Sequence, residues 1–296
     1  MTFPYEPSPQ PLRGKIALVS GSSSGIGAAI VEELSRRGAH VVVNYPYQSE
    51  KENADRVLSG LQGIGRSIAV EADLSTLSGP RLLAEATAKE FGHIDIVVNN
   101  AGIGALSVLN GLEDDDFAKL WDKVVNLNGR GTLLLTRASL KYLSPKHSRI
   151  INICSSTSRN PDPDMSIYAG SKGMVESFTR CWARDLPREY GCTVNAIAPG
   201  PVSTESMMVA PPHFQEMLMK NAANTPVGPR MAKPEEIAWT VAILRLNAKL
   251  ALLFASRSTP HGSHASGDRV GRRRVSELSE LANASLHTKT EAAQSC

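Results

Sequence analysis

Residues 15–27 read Lys15-Ile-Ala-Leu-Val-Ser20-Gly-Ser-Ser-Ser-Gly25-Ile-Gly27. An apolar run rich in branched side chains leads into a turn with three glycines. An amphipathic stretch, residues 28–37, follows directly. The order predicts a strand, a tight turn and a helix. Glycine at such a turn permits positive φ and a close approach of other backbone. A helix that starts there offers its first free N–H groups and the positive end of its dipole to a phosphate. The spacing Gly-x-x-x-Gly-x-Gly differs from the usual G-x-G-x-x-G dinucleotide fingerprint. On its own, the turn is equally an ordinary glycine-rich βα loop or a diphosphate cradle built from Gly21, Ser23, Ser24, Gly25, Ile26 and Gly27.

The same pattern recurs along the chain. Short apolar runs at 40–45 (HVVVNY), 66–71 (RSIAVE), 94–99 (IDIVVN), 149–154 (RIINIC) and 192–197 (CTVNAI) predict further strands. Most lack a polar alternation, which suits strands buried on both faces of a parallel sheet. Between them, residues 50–62, 81–91, 166–190 and 234–246 are long enough for crossover helices. Strand–helix repetition of this kind predicts an α/β, Rossmann-type doubly wound parallel sheet flanked by helices. The expected division is a flexible N-terminal tail at 1–11, one NAD(P)-binding Rossmann domain at 12–250, and an atypical, poorly ordered tail at 251–296.

Composition narrows the function classes. The chain has 296 residues, 42% of them hydrophobic, and a formal net charge of +3. That balance argues against a nucleic-acid partner, and the run Arg272-Arg273-Arg274 reads as a solvated tail feature. No apolar stretch approaches the roughly 20 residues of a membrane span, and residues 1–11 lack the apolar core of a signal peptide. Cys154, Cys181, Cys192 and Cys296 form no C-x-x-C pair, so neither a metal site nor a disulfide framework is expected. Free thiols and a cytoplasmic location are the simplest reading.

One downstream spacing carries chemistry. Tyr168 and Lys172 are four residues apart in a stretch expected to be helical, so they share a face. An ammonium beside a phenol favours the phenolate, which suits proton transfer at a carbonyl or alcohol. Ser155 precedes Tyr168 by thirteen positions. Its neighbour Ser156 competes for the same role, and Cys154 reads as a core thiol. The second strand ends Val43-Asn44-Tyr45-Pro46, with no acid before Glu50. An acid there would hold a ribose 2′-hydroxyl and repel a 2′-phosphate. Its absence, with Asn44, Tyr45 and Ser49 as hydrogen-bonding groups, favours NADP(H) over NAD(H).

With these motifs placed, the sequence resembles the short-chain dehydrogenase/reductase family over roughly residues 12–245. Further matches fall in the family's order. Asp73-Leu74 follows the third strand, and Asn99-Asn100-Ala101-Gly102 ends the fourth. Asn128 stands at the helix-asparagine position, ahead of Asn126. Pro199, Gly200, Val202 and Thr204 match the stretch beside the nicotinamide. Within the family, the second strand and the Tyr168–Lys172 segment look most like NADPH-dependent ketoreductases, including 3-oxoacyl carrier-protein and hydroxynaphthalene reductases. The resemblance implies hydride transfer to a ketone, with Tyr168 as general acid and Lys172 lowering its pKa. Ser155 would donate to the carbonyl oxygen, and Asn128 would hold a water linking Lys172 to solvent. It also implies a small-molecule carbonyl or alcohol substrate and a homodimer or homotetramer. An NAD-dependent alcohol dehydrogenase and a catalytically impaired cofactor binder are the alternatives.

Two regions need separate comment. Residues 205–225 carry Met207, Met208, Val209, Phe214, Met217, Leu218 and Met219, a segment that is a lid over the substrate in the family. Most of these positions are expected to pack on the core, and the apolar character points to an uncharged, hydrophobic ketone. Residues 104–109 and 160–166 are expected to border the same pocket. After residue 244 the family's final strand and its D-G-G ending are not present in the sequence. That loss is expected to expose a sheet edge and to loosen the site.

Overall fold

The computed structural model describes residues 10–223, 225 and 228–246, all within the unit Met1–Ala255. Six strands form one parallel sheet: β1 (Ile16–Val19), β2 (His40–Tyr45), β3 (Ser67–Glu71), β4 (Ile96–Asn99), β5 (Ser148–Ile153) and β6 (Cys192–Ile197). Their order is β3-β2-β1-β4-β5-β6. Each falls on one of the expected apolar runs. The chain reverses its winding between β1 and β4, and crevices that take ligands lie at such switch points, beyond the carboxyl ends of the strands.

Alternation along the strands supplies two cores. Ala17, Val19, Val41, Val43, Ile96, Val98 and Ile151 face one side. There they meet α1 (Gly25–Arg36), α2 (Lys51–Gly60) and the last described helix, which spans Pro234–Leu246. Leu18, Val42, Val97, Ile150 and Val194 face the other, against α3 (Gly79–Phe91), α5 (Thr132–Ser139) and α6 (Ser166–Tyr190). Burying a Val, Leu or Ile side chain contributes about 1.5–3 kcal/mol, so strands apolar on both faces need helices on both.

The helices between β4 and β5 were not plain in the sequence. They are α4 (Asp114–Val125), a π-helical segment over Asn126–Gly131, and α5. Asp114, Asp115 and Asp116 occupy the first turn of α4, where negative charge favours the helix dipole. The remaining helices are α7 (Glu205–Met208), α8 (Pro212–Ala222) and α9 (Pro234–Leu246). Helix α6 ends where Gly191 takes a left-handed conformation, φ 60°, a common glycine stop. Residues 247–296, including the expected tail and the expected loss of a final strand, lie outside the described residues. Among the described residues, nothing pairs with the outer edge of β6. The loop beyond β6 is nevertheless held: Val202 bridges Ala232, Ala232 N–H donates to Pro201 and Ser203 N–H to Ala232. Residues 201–203 of the site wall are thus tied to Ala232.

Candidate active site

The glycine turn is shaped by crowding. Gly21 has φ +58°, and a Cβ on it would lie 2.8 Å from the Ala101 Cα; one on Gly27 would lie 2.2 Å from the Gly21 carbonyl oxygen. Only glycine fits both positions. At the start of α1 no side chain caps the helix and no acid sits in the first turn, leaving Gly25, Ile26 and Gly27 suited to an anion. Thr204 approaches from above, its Cγ2 3.4 Å from where a Gly25 Cβ would stand. Ser23, Ser24, Gly25, Arg56 and Thr204 line a 280 Å³ cavity whose other walls include Glu32, Glu205 and Glu235. These features fit a dinucleotide's diphosphate, whose binding needs bare backbone rather than side chains.

Neighbouring strand ends fix the turn. Ser20 Oγ accepts from the N–H groups of Asn100 and Ala101, both at 3.0 Å. The Asn100 amide donates to the carbonyls of Ser20 and Gly21, at 2.9 and 2.8 Å. Asn44 departs from its expected use. Its Oδ1 accepts from Gly21 N–H at 2.9 Å, and its Nδ2 reaches the carbonyls of Tyr45, Val70 and Ala72. It is 2% exposed, so its side chain braces the turn from below and does not face a phosphate. Tyr45 is also buried. Beyond β3, Asp73 Oδ1 accepts from the Ser75 N–H and hydroxyl at 2.8 and 2.7 Å, and Leu74 is buried beside it.

Across the switch point the proton-transfer groups converge. The π-helical segment turns Asn128 inward; π turns of this kind are frequent at functional sites. Asn128 is 1% exposed, and it, not Asn126, reaches the site. Its Oδ1 accepts from Ile103 N–H at 2.9 Å, while its Nδ2 donates to the Ile103 carbonyl and to Ser171 Oγ, each at 3.0 Å. Gly102 makes the room: a Cβ there would stand 3.1 Å from both Asn128 Oδ1 and Lys172 Nζ. Gly131 must be small for a related reason, since its Cβ would lie 2.6 Å from the Leu74 carbonyl oxygen.

Ser155 caps a short 3₁₀ turn, Ser156–Ser158, its Oγ accepting from Thr157 N–H. With that lone pair used, its own proton is free for the Tyr168 hydroxyl, to which it is hydrogen-bonded. Ser156 points elsewhere; it is exposed and its N–H donates to the Pro199 carbonyl at 2.8 Å. Lys172 is buried, and its Nζ donates to the Ile153 carbonyl at 2.9 Å. Burial pulls its pKa down to about 8. Burial pushes the Tyr168 phenol above its usual pKa, and the Ser155 hydroxyl opposes this. Cys154 is a core thiol, pushed by burial to about 11.

The segment after β6 and the loop after β4 carry exposed apolar side chains. Met208, Val209 and Met219 are 70%, 84% and 53% exposed, and Leu109 76%. Among the described apolar side chains of residues 205–225, Leu218 and Ala222 are buried, while Met207, Phe214 and Met217 are half-buried. The loop and lid are tied to the site: Ser107 Oγ accepts from Ile167 N–H at the start of α6, and Asn221 donates to Asp162 at 2.7 Å. Ser20, Ser22, Ser107 and Ser171 all brace this site. They carry no distinguishing sequence signal, because a small hydroxyl at a strand end or in a loop is common.

The sequence pattern described as short chain dehydrogenase matches residues 15–213. The chain belongs to the short-chain dehydrogenase/reductase family. This member is an NAD(P)-dependent oxidoreductase by that descent. It is 39% identical over 240 residues to the short-chain dehydrogenase/reductase FrzI of Cladobotryum sp, covering 80% of this chain and 90% of that one. It is 40% identical over 196 residues to the hydroxynaphthalene reductase arp2 of Aspergillus fumigatus, covering 66% and 69%. Its fold is similar to the crystal structure of a short chain dehydrogenase from Burkholderia cenocepacia J2315 in complex with NADP, with a TM-score of 0.70 and 33% identity over 79% of this chain and 91% of that one. Among the described residues no helix is long and apolar enough to cross a membrane, and no cluster of His, Cys, Asp and Glu could hold a metal.

Proposed function

We propose that this reductase family member uses NADPH to reduce an uncharged, hydrophobic ketone to a secondary alcohol, in the manner of polyketide-type secondary metabolism. The observation that carries the reading is Tyr168 with the Ser155 hydroxyl at its own and buried Lys172 one turn further along α6. The likeness to a hydroxynaphthalene reductase supports an aromatic, polyketide-like substrate. NADP is supported by the NADP-bound relative and by a second strand that ends in Asn44-Tyr45-Pro46 without an acid.

The residues divide the work. Gly21, Ser23, Ser24, Gly25, Ile26 and Gly27 would hold the diphosphate, with Asp73 and Leu74 at the adenine end and Asn100, Ala101 and Gly102 along the middle. Pro199, Gly200, Val202 and Thr204 would cover the nicotinamide side. When bound, the nicotinamide supplies the hydride. Tyr168 gives its proton to the oxygen of the substrate as negative charge develops there, and Ser155 donates a hydrogen bond to the same oxygen. Lys172, near pH 8 in its own titration, restores charge balance beside the phenol, and Asn128 keeps Gly102-Ile103 and α6 in register around it. Burial holds the Tyr168 phenol in its protonated form, the form from which it can give a proton to the substrate oxygen. Replacing Tyr168→Phe is expected to abolish NADPH-dependent ketone reduction while NADPH binding, measured by fluorescence, survives. Unchanged turnover would overturn the assignment.

A further inference from the structure

Helix α6 presents one more buried group on the face that carries Tyr168 and Lys172. Glu176 lies one turn beyond Lys172, as Lys172 lies one turn beyond Tyr168. It is 7% exposed, an unusual place for a carboxylate unless its oxygens are satisfied. They are. Oε1 accepts from Ser158 Oγ at 2.7 Å, and Oε2 from Arg159 Nε at 3.0 Å; Arg180 adds a longer ion pair at 3.8 Å. Ser158 Oγ lies 2.6 Å from the Ser155 carbonyl oxygen as well, so its single proton is shared between that carbonyl and Glu176. Ser158 N–H also donates to that carbonyl. The segment from Ser155 to Arg159 is thus fastened at its start by Cys154 N–H and Ser156 N–H, which donate to Ile197 and Pro199, and at its end by Glu176.

We propose that Glu176 is a positioning residue: by clamping Ser158 and Arg159 onto α6 it sets the Ser155 hydroxyl against the Tyr168 hydroxyl. The inference rests on the ketoreductase reading above. A rigid helix then carries both partners of the pair, Tyr168 directly and Ser155 through a clamp two turns away. The groups acting on the Tyr168 phenol are Ser155 and Cys154, just beyond β5; Lys172 lies one turn further along α6.

The sign of one titration separates this role from a simple charge effect. Deleting a nearby carboxylate lowers a phenol's pKa by Coulomb's law. Releasing Ser155 raises it, because the Ser155 hydrogen bond is what pulls it down. In Glu176→Ala the Tyr168 phenol, followed by ultraviolet difference titration against Tyr168→Phe, is therefore expected to titrate higher than in the wild type. Ketone-reduction kcat is expected to fall about 10- to 100-fold, the scale of a small misplacement of a catalytic group, with KM for NADPH unchanged. Glu176→Gln keeps an acceptor for Ser158 and is expected to recover most of the rate with no rise in the titration. Ser158→Ala is expected to reproduce Glu176→Ala, and the pair together to lose no more than either alone. An unmoved or lowered Tyr168 titration in Glu176→Ala overturns the proposal, whatever happens to the rate. If Glu176→Ala fails to fold, an unmoved titration in Ser158→Ala overturns it equally. Wild-type protein that reduces no ketone ends the ketoreductase reading instead, and the titration, which needs no substrate, still decides the role of Glu176.

Discussion

Replacing Lys172→Met tests the electrostatics of the site without an assay of turnover. Lys172 is buried, and desolvation lowers its pKa from 10.5 to about 8. At about 1.4 kcal/mol per pH unit, this amounts to about 3 kcal/mol held against the charged form. The unfolded chain keeps its proton up to about pH 10.5 while the folded protein loses it near pH 8. Between those values the unfolded state binds more protons, so stability rises with pH. Below pH 8 the folded protein bears the whole penalty, and above 10.5 it bears none. Methionine removes the titration and leaves the Ile153 carbonyl without its donor, a cost of about 1–3 kcal/mol that does not vary with pH. The unfolding free energy of wild type minus that of Lys172→Met is therefore expected to climb by about 3 kcal/mol from pH 8 to 10.5. Urea unfolding of cofactor-free protein at a series of pH values measures it. A Cys154→Ala background removes the adjacent thiol, whose own pKa of about 11 would otherwise bend the curve downward. A flat or falling difference would refute the view that Lys172 is held, desolvated, against its charge.

Two further outcomes follow from crowding and burial. Gly21→Ala forces a side chain into φ +58° and to within 2.8 Å of the Ala101 Cα, so it is expected to cost about 2–3 kcal/mol and to weaken NADPH binding; calorimetric or urea stability equal to the wild type would show that the turn has room there. Cys181 is exposed whereas Cys154 and Cys192 are buried and both are pushed up by desolvation, so a thiol reagent at neutral pH is expected to modify Cys181 in the native protein and the two buried thiols only on unfolding, as site-resolved mass spectrometry would report. Rapid native labelling of Cys154 would mean that the end of β5 opens to solvent.

Much of the architecture was legible in the residues because a doubly wound sheet writes itself locally. A strand buried on both faces is mostly apolar, and residues 40–45 and 149–154 could be read one at a time. The stretch between β4 and β5 was harder. Asn126–Gly131 is a π-helical segment flanked by two α-helices, and nothing in Asn-Leu-Asn-Gly-Arg-Gly announces the extra residue in the turn. The surroundings of Asn44 were also not legible. An asparagine at a strand end looks available to a ligand until the carbonyls of Val70 and Ala72 are seen to occupy it.

By itself the sequence determined the sheet, the glycine turn and the set of residues able to move a proton, because each depends on side-chain type and short-range spacing. The tertiary structure decided the rest. Whether Asn44 meets a phosphate or a carbonyl, how deeply Tyr168 is buried, and which groups hold the Glu176 carboxylate depend on residues far apart in the chain. Hydrogen-bond partners and burial are properties of the packed interior, and no local pattern encodes them.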